Sequence, residues 1–166
     1  LPLTNVSVHR VADPQRGDVV VFDSPADGSR LIKRIVGIPG DRIELRNDVL
    51  IINGERAHYS DATALEEWVA PGVRVPAIRS TESLQGQQRV VQHLPGVTAR
   101  RDLAPLTLAP NQFFMMGDNR DNSFDSRYLG PVDRPLINGR ARRILVSADL
   151  TDHWLPRWHR IGARLE

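Results

Sequence analysis

Cysteine is absent from this chain, which excludes disulfides and thiolate metal sites and leaves no cysteine usage from which to read a redox compartment. Long apolar runs are absent as well. Pieces such as Val19–Phe22 fall far short of the roughly 18 residues of a membrane span. A dominant charge of one sign is also missing: 22 basic residues stand against 20 acidic ones, and a net charge of +2 is too weak a footprint to argue for a nucleic-acid partner. Internal repeats and low-complexity tracts are not found, and helix-periodic stretches are scarce. What remains is 166 residues, 40% hydrophobic and 25% charged, enough for one substantial core or one core with an insertion in a soluble globular protein. Nothing at Leu1 resembles a signal peptide or an initiator, and a chain opening on Leu-Pro-Leu reads as a fragment.

Lysine is nearly missing too. Of the 22 basic residues only Lys33 is not arginine. A coding bias that converts lysine to arginine explains this without function. The functional explanation is that arginine cannot lose its proton in a protein whereas lysine can, so a site needing a neutral amine resists the replacement. Both stay open on composition alone. Lys33 lies in Leu31-Ile32-Lys33-Arg34-Ile35-Val36, and on a strand residues 31, 33 and 35 share a face. An ammonium between Leu31 and Ile35 on a core face is costly to keep charged, and burial lowers a lysine pKa toward the working range of a general base. The alternative is a side chain that carries its ammonium out to water along an apolar stem.

The pattern is mostly strand. Arg16-Gly17-Asp18 reads as a turn into strand Val19–Phe22, Ser24–Gly28 as a second turn, and Arg30–Val36 as the lysine-bearing strand. Arg42–Arg46 alternates. Val49–Ile52, Asn53-Gly54 and Glu55–Tyr59 predict a hairpin, because Asn-Gly suits a type I′ turn. Asp61–Ala70 predicts a short capped helix stopped by Pro71-Gly72. Val73–Pro110 reads as irregular apart from a strand at Arg89–Leu94, and Gly139–Ser147 as a last strand. Thr151–Glu166 is a tail bearing Trp154 and Trp158 among arginines and a histidine.

The most concentrated chemistry is Gly117-Asp118-Asn119-Arg120-Asp121-Asn122-Ser123-Phe124-Asp125-Ser126-Arg127, directly behind the apolar run Phe113–Met116. Loops of this polarity are ordinarily solvated surface. Here the polar run starts where the chain leaves a core strand, so its hydroxyls and guanidinia can reach something beside that core. An EF-hand register from Asp118 meets Arg120, Asn122, Ser123 and Leu129 where acids, Gly and Glu are required; from Asp121 it meets Ser126 and Val132 at the Gly and Glu positions. Both fail, and no Gly-Lys-Ser/Thr ending supports a phosphate loop.

Three segments together carry a resemblance. Arg16–Phe22, Lys33–Asp41, and Phe114–Ser123 with Asp125-Ser126-Arg127 resemble, in order and spacing, three successive sequence boxes of the bacterial type I signal peptidases. With their flanks they cover roughly residues 14 to 46 and 110 to 166. The resemblance implies a mainly β, signal-peptidase/LexA-like fold with a small β-rich insertion, the core formed by residues 1–46 plus 110–166 and the insertion by residues 47–109.

It also implies a cofactor-free Ser/Lys serine endopeptidase that removes signal peptides from exported preproteins after small-residue Ala-x-Ala sites, at the outer face of the bacterial cytoplasmic membrane. By match to the boxes, Lys33 is the general base. Ser123 orients its amine, Asp125 and Arg127 form a supporting ion pair, and Phe22, Met115 and Met116 form the apolar wall. Arg30, Leu31 and Ile32 fall on the strand that pairs with the extended substrate, Ile32 lining a small-residue pocket.

One departure stands out. The family's nucleophile belongs to a Ser-Met-x-Pro box several tens of residues before the lysine, followed by a Gly-Asp box, and neither string occurs here. Ser7, in Asn5-Val6-Ser7-Val8, is the nearest upstream serine but has the wrong neighbours. The expectation is that the serine and a membrane anchor precede Leu1 and that the 166 residues alone are inactive. Other readings are a non-catalytic substrate-binding or scaffold homologue without the serine, and a LexA-like self-cleaving regulator, which would need a DNA-binding segment and a cleavable site not visible here. His58 and His93 have no metal-ligand spacing with the other histidines. Trp154 and Trp158 suit a membrane interface or simply the cap of a core.

Overall fold

The computed structural model describes residues 13–141. Over that span the protein is mainly β. The strands are β1 (Val19–Asp23), β2 (Arg30–Gly37), β3 (Arg42–Arg46), β4 (Val49–Ile52), β5 (Glu55–Arg56), β6 (His58–Ala70), β7 (Val73–Leu84), β8 (Gln87–His93), β9 (Leu103–Thr107), β10 (Gln112–Met116), β11 (Val132–Asp133) and β12 (Ile137–Arg140). They form a five-stranded sheet in the order β11-β10-β2-β1-β12, a four-stranded sheet β5-β4-β3-β9 and a three-stranded sheet β6-β7-β8. A single helical turn, α1 (Ser126–Leu129), follows β10 after the polar loop.

The central sheet is covered on both faces, which is why β1 and β10 read as continuous apolar runs and not as alternations. Val20, Phe22, Ile35, Phe113, Met115, Val132 and Ile137 pack on one face. Val36, Phe114 and Met116 project from the other into a cluster with Ile43, Leu45, Leu50 and Ile52 of the four-stranded sheet, and with Leu84 and Leu108. Strand β3 pairs with β4 on one side and β9 on the other.

Hairpin chemistry follows the turn residues. Asn53 and Gly54 both take positive φ, 53° and 85°, between β4 and β5, as a type I′ turn requires. The same device recurs at Gln85-Gly86, with φ of 52° and 70° between β7 and β8.

Three expectations need correction. Asp61–Ala70 is not a helix: it lies within β6, paired antiparallel to β7 from His58↔Ser83 to Ala70↔Val73. Asp61 has φ 54°, in the left-handed region and not the extended conformation of a helix N-cap, and it sits where the pairing register shifts between Ser60 and Thr63. The helix preference of Leu65, Glu66 and Glu67 amounts to tenths of a kcal/mol per residue and loses to a long ladder of cross-strand hydrogen bonds. Pro71-Gly72 closes this hairpin, with Gly72 at φ 75°, and does not end a helix.

The stretch after Val73 is likewise not irregular. It holds β7, β8 and β9. Pro76 is tolerated within β7 because the strand gains its second neighbour, β8, only from Ile78 onward. Glu55–Tyr59 is not one strand, since Ala57 separates β5 from β6. The last strand is Ile137–Arg140, starting two residues before Gly139, and residues 142–147, together with Trp154, Trp158 and Ser7, lie outside the described residues.

Candidate active site

Strand β2 lies between β1 and β10, and its register decides what Lys33 meets. Lys33 stands opposite Val20 of β1. On the other side β10 reaches only to the pair Met116↔Arg34, so among the described residues Arg30–Lys33 have no strand partner along that edge. Leu31, Lys33 and Ile35 share the face that packs with Val20, Phe22 and Met115. The lysine stem therefore runs over apolar side chains at the place where the sheet ends.

Burial lowers the Lys33 pKa from its ordinary value. The negative charge of Asp125 opposes this, Arg127 reinforces it, and Asp118 opposes it again, with the net shift downward. The sign for stability follows directly. A folded state that disfavours the ammonium is penalised below the lowered pKa and recovers as pH rises toward the unfolded value near ~10.4. Lys33→Met, which keeps the stem and removes the charge, is expected to raise Tm by a few degrees at neutral pH and to lose that advantage at high pH; thermal unfolding at several pH values checks it.

The polar loop begins where β10 stops. Gly117 N–H donates to Asp125 Oδ2 at 3.0 Å. Asp125 is fully buried, caps α1 by accepting from Arg127 N–H at 3.2 Å, and takes both prongs of the Arg127 guanidinium at 2.9 Å. Burial alone would raise its pKa, but the Arg127 guanidinium and the Gly117 amide outweigh it and hold the carboxylate ionised below its usual range. Arg127, 1% exposed, also donates to the Arg120 carbonyl oxygen. Met115 N–H donates to Ser126 Oγ at 2.9 Å, which ties the helical turn to the end of β10. At the front of the loop, Arg34 donates from Nε and Nη2 to the two Asp118 oxygens at 3.0 and 2.9 Å, and from Nη1 to the Gly17 carbonyl at 2.9 Å. The loop is fixed at both ends by charge-assisted forks.

Ser123 lies inside this frame. Its Oγ is buried and makes no full hydrogen bond, although it is close enough to Asp125 to help hold that carboxyl down. The Lys33 amine does not close a hydrogen bond to it in this structure. The loop can approach so closely only because residue 117 is glycine: a Cβ there would stand 2.3 Å from Ser123 Oγ and 2.6 Å from its Cβ. Gly117→Ala is expected to push Ser123 out of place while sparing both ion pairs. A structure of the variant should show Ser123 displaced with the Arg34–Asp118 and Arg127–Asp125 forks kept, and Gly117→Ala/Ser123→Gly should relieve the clash.

Lys33 is within electrostatic reach of Asp125 and Arg127, Ser123 lies against Gly117 and Asp125, and Phe22, Leu31 and Met115 are on the lysine's face. Met116 is not on that face; strand alternation sends it to the opposite cluster with Val36. Ile32 is 41% exposed on the opposite face from Lys33, and Arg30 is exposed and paired with Asp23 at 3.2 Å.

Sequence reasoning missed a second buried charge cluster beneath the loop. Glu82 of β7 is fully buried and accepts from Arg120 Nη1 and Nη2 at 2.5 and 2.8 Å, from Arg89 Nε at 2.6 Å and from the Tyr59 hydroxyl at 2.8 Å. Burial alone would raise its pKa, but Arg120 and then Arg89 bring it down to about 2. Burial and the neighbouring Glu82 charge push Tyr59 up to about 12. In Ser80-Thr81-Glu82-Ser83 the acid looks like an ordinary hairpin charge. Only the register set by the Gln85-Gly86 turn, which puts Ser80, Glu82 and Leu84 on one buried face, could have revealed it.

The chain belongs to the signal peptidase family, peptidase S26, whose model matches residues 3–146. It is 35% identical over 184 residues to signal peptidase I of Pseudomonas fluorescens, covering 98% of this chain and 60% of that protein. It is 33% identical over 183 residues to signal peptidase I of Pseudomonas aeruginosa, again covering 98% and 60%. A solved signal peptidase I from Enterococcus faecalis shares 31% sequence identity at a TM-score of 0.46, covering 78% of this chain and 97% of that one. The chain thus spans 60% of the length of the two Pseudomonas relatives. Among its described residues no helix is long and apolar enough to cross a membrane.

Proposed function

We propose that this chain carries the lysine half of a Ser/Lys endopeptidase that removes signal peptides from preproteins after Ala-x-Ala sites. The attacking serine belongs to a Ser-Met-x-Pro segment not contained in these 166 residues. The observation that carries this reading is the setting of Lys33: the chain's single lysine, half-buried on an apolar face, its pKa lowered by that burial, within electrostatic reach of the Asp125–Arg127 pair that frames Ser123.

In the proposed mechanism the neutral Lys33 amine takes the proton from the serine hydroxyl as it attacks the scissile carbonyl, and returns it to the leaving amine. Ser123 is the group that orients the amine, its hydroxyl free to accept from or donate to Nζ. The Asp125–Arg127 pair holds Ser123 and Gly117 in place, and Phe22, Leu31 and Met115 keep water from the stem. The Arg30–Lys33 edge left open by β10 is suited to accept an extended substrate as an added strand, main-chain bonds supplying affinity and shallow pockets selectivity. The whole protein would act at the outer face of the bacterial cytoplasmic membrane, held by an anchor outside this segment.

The test is processing of a preprotein with an Ala-x-Ala site by the full-length protein, beside Lys33→Ala, Lys33→Arg and Ser123→Ala. Cleavage is expected only with Lys33 intact, weakened in Ser123→Ala. Cleavage surviving in Lys33→Arg ends the general-base assignment, because a guanidinium does not release its proton.

A further inference from the structure

Resting on that reading, we infer that Glu82 is a positioning residue for the Lys33 site, acting through Arg120, so that the three-stranded sheet β6-β7-β8 is part of the catalytic apparatus.

The Ser123 corner is not held from the central sheet alone. Its far side leans on β8 and on the chain just after it. Gln92 N–H donates to the Asp118 carbonyl, and Arg120 N–H donates back to the Gln92 carbonyl, at 2.9 and 2.8 Å, so the loop is bridged to β8 in parallel register. Asp121 Oδ2 accepts from Leu94 N–H at 2.7 Å. Between these anchors the Arg120 side chain, 2% exposed, turns inward to Glu82.

The consequence lies in the Arg120 main chain. Its carbonyl oxygen is an acceptor for Arg127 Nη2, the same nitrogen that donates to Asp125 Oδ2. A continuous set of contacts therefore runs from Glu82 through Arg120 and Arg127 to Asp125, the carboxylate that holds Gly117 beside Ser123. Ion pairs this buried adopt one geometry, because either partner left alone in an apolar interior is strongly disfavoured. Glu82 thus fixes where Arg120 sits, and Arg120 fixes the Asp125 corner on which the amine depends. Loosening it would admit water to Lys33 and move Arg127 away. Both changes favour the ammonium.

Three forms of the full-length protein test this in the preprotein assay as a function of pH: wild type, Tyr59→Phe and Glu82→Gln. Tyr59→Phe removes one donor to Glu82 and changes no charge. In folded Glu82→Gln, verified by near-UV circular dichroism at the assay temperature, the acid limb of kcat/KM should move to higher pH and kcat at pH 7 should fall by about 10- to 100-fold, with KM little changed because the β2 edge is untouched. Tyr59→Phe should shift the limb the same way by less. An unmoved limb and unchanged kcat in folded Glu82→Gln, or in Tyr59→Phe where Glu82→Gln does not fold, would reduce the cluster to a structural role and overturn the inference. Lys33→Ala run beside them separates the two ideas: if it still cleaves, the general-base reading has failed, whatever Glu82 does.

Discussion

Lys33→Ala in the full-length protein is expected to lower kcat/KM for preprotein processing by about 10⁴-fold or more, the scale on which removing the base of a nucleophile–base pair acts. The size follows from how little else could replace the amine. Asp125 is committed to Arg127 and Gly117, Asp118 to Arg34, and both carboxylates would have to leave charge-assisted hydrogen bonds to accept a proton. Lys33→Arg should be no better than alanine. The pH profile gives an independent reading with a definite sign. In the proposed mechanism the active form is the neutral amine, so kcat/KM should rise with pH through the Lys33 pKa, and that pKa is lowered by burial. The acid limb should therefore end well below the ordinary lysine range near ~10.4. A limb centred at that ordinary value, in an enzyme otherwise intact, would contradict a sheltered amine.

Part of the local geometry was readable in the sequence. The face shared by Leu31, Lys33 and Ile35 needs only strand alternation, whereas the polar loop behind β10 could be located from the sequence but Ser123, Asp125 and Arg127 were singled out within it only by the resemblance. What was not readable depends on register between distant strands. Alternation along Phe113–Met116 separates Met115 from Met116, but nothing local to the chain says which of the two faces Lys33. The pairing Met115↔Ile35 decides it. The same applies to Asp61–Ala70, where local helix preference is real and a partner strand, β7, overrides it. Glu82 is the extreme case: its burial depends at once on the turn at Gln85-Gly86 and on a loop some forty positions later that supplies Arg120.

That dependence makes Glu82 a sensitive position for stability. Glu82→Leu fills the space with an apolar side chain but leaves the guanidinia of Arg120 and Arg89, both buried, without their carboxylate. Breaking a buried ion pair from one side costs about 3–5 kcal/mol, and for a chain of this size that corresponds to a fall in Tm of about 10 °C. Acid titration approaches the same number by another route. The Glu82 carboxyl is held at about 2 against an ordinary 4.5, a depressed folded-state pKa, so its contribution is fully present above about 4.5 and is lost as pH falls through about 2. That gap, at about 1.4 kcal/mol per pH unit, corresponds to on the order of 3 kcal/mol. Wild type should therefore lose stability steeply between pH 5 and 2. Glu82→Leu, with this carboxyl gone, should be less stable at pH 7 and flatter over the acid range. If the two unfolding curves run parallel from pH 7 to pH 2, the buried carboxylate is not what holds the loop to β7. Replacing all three charges together, in Glu82→Leu/Arg89→Met/Arg120→Met, should recover much of the Tm lost in the single variant, because the cost lies in the unpaired guanidinia and not in the absence of the salt bridge.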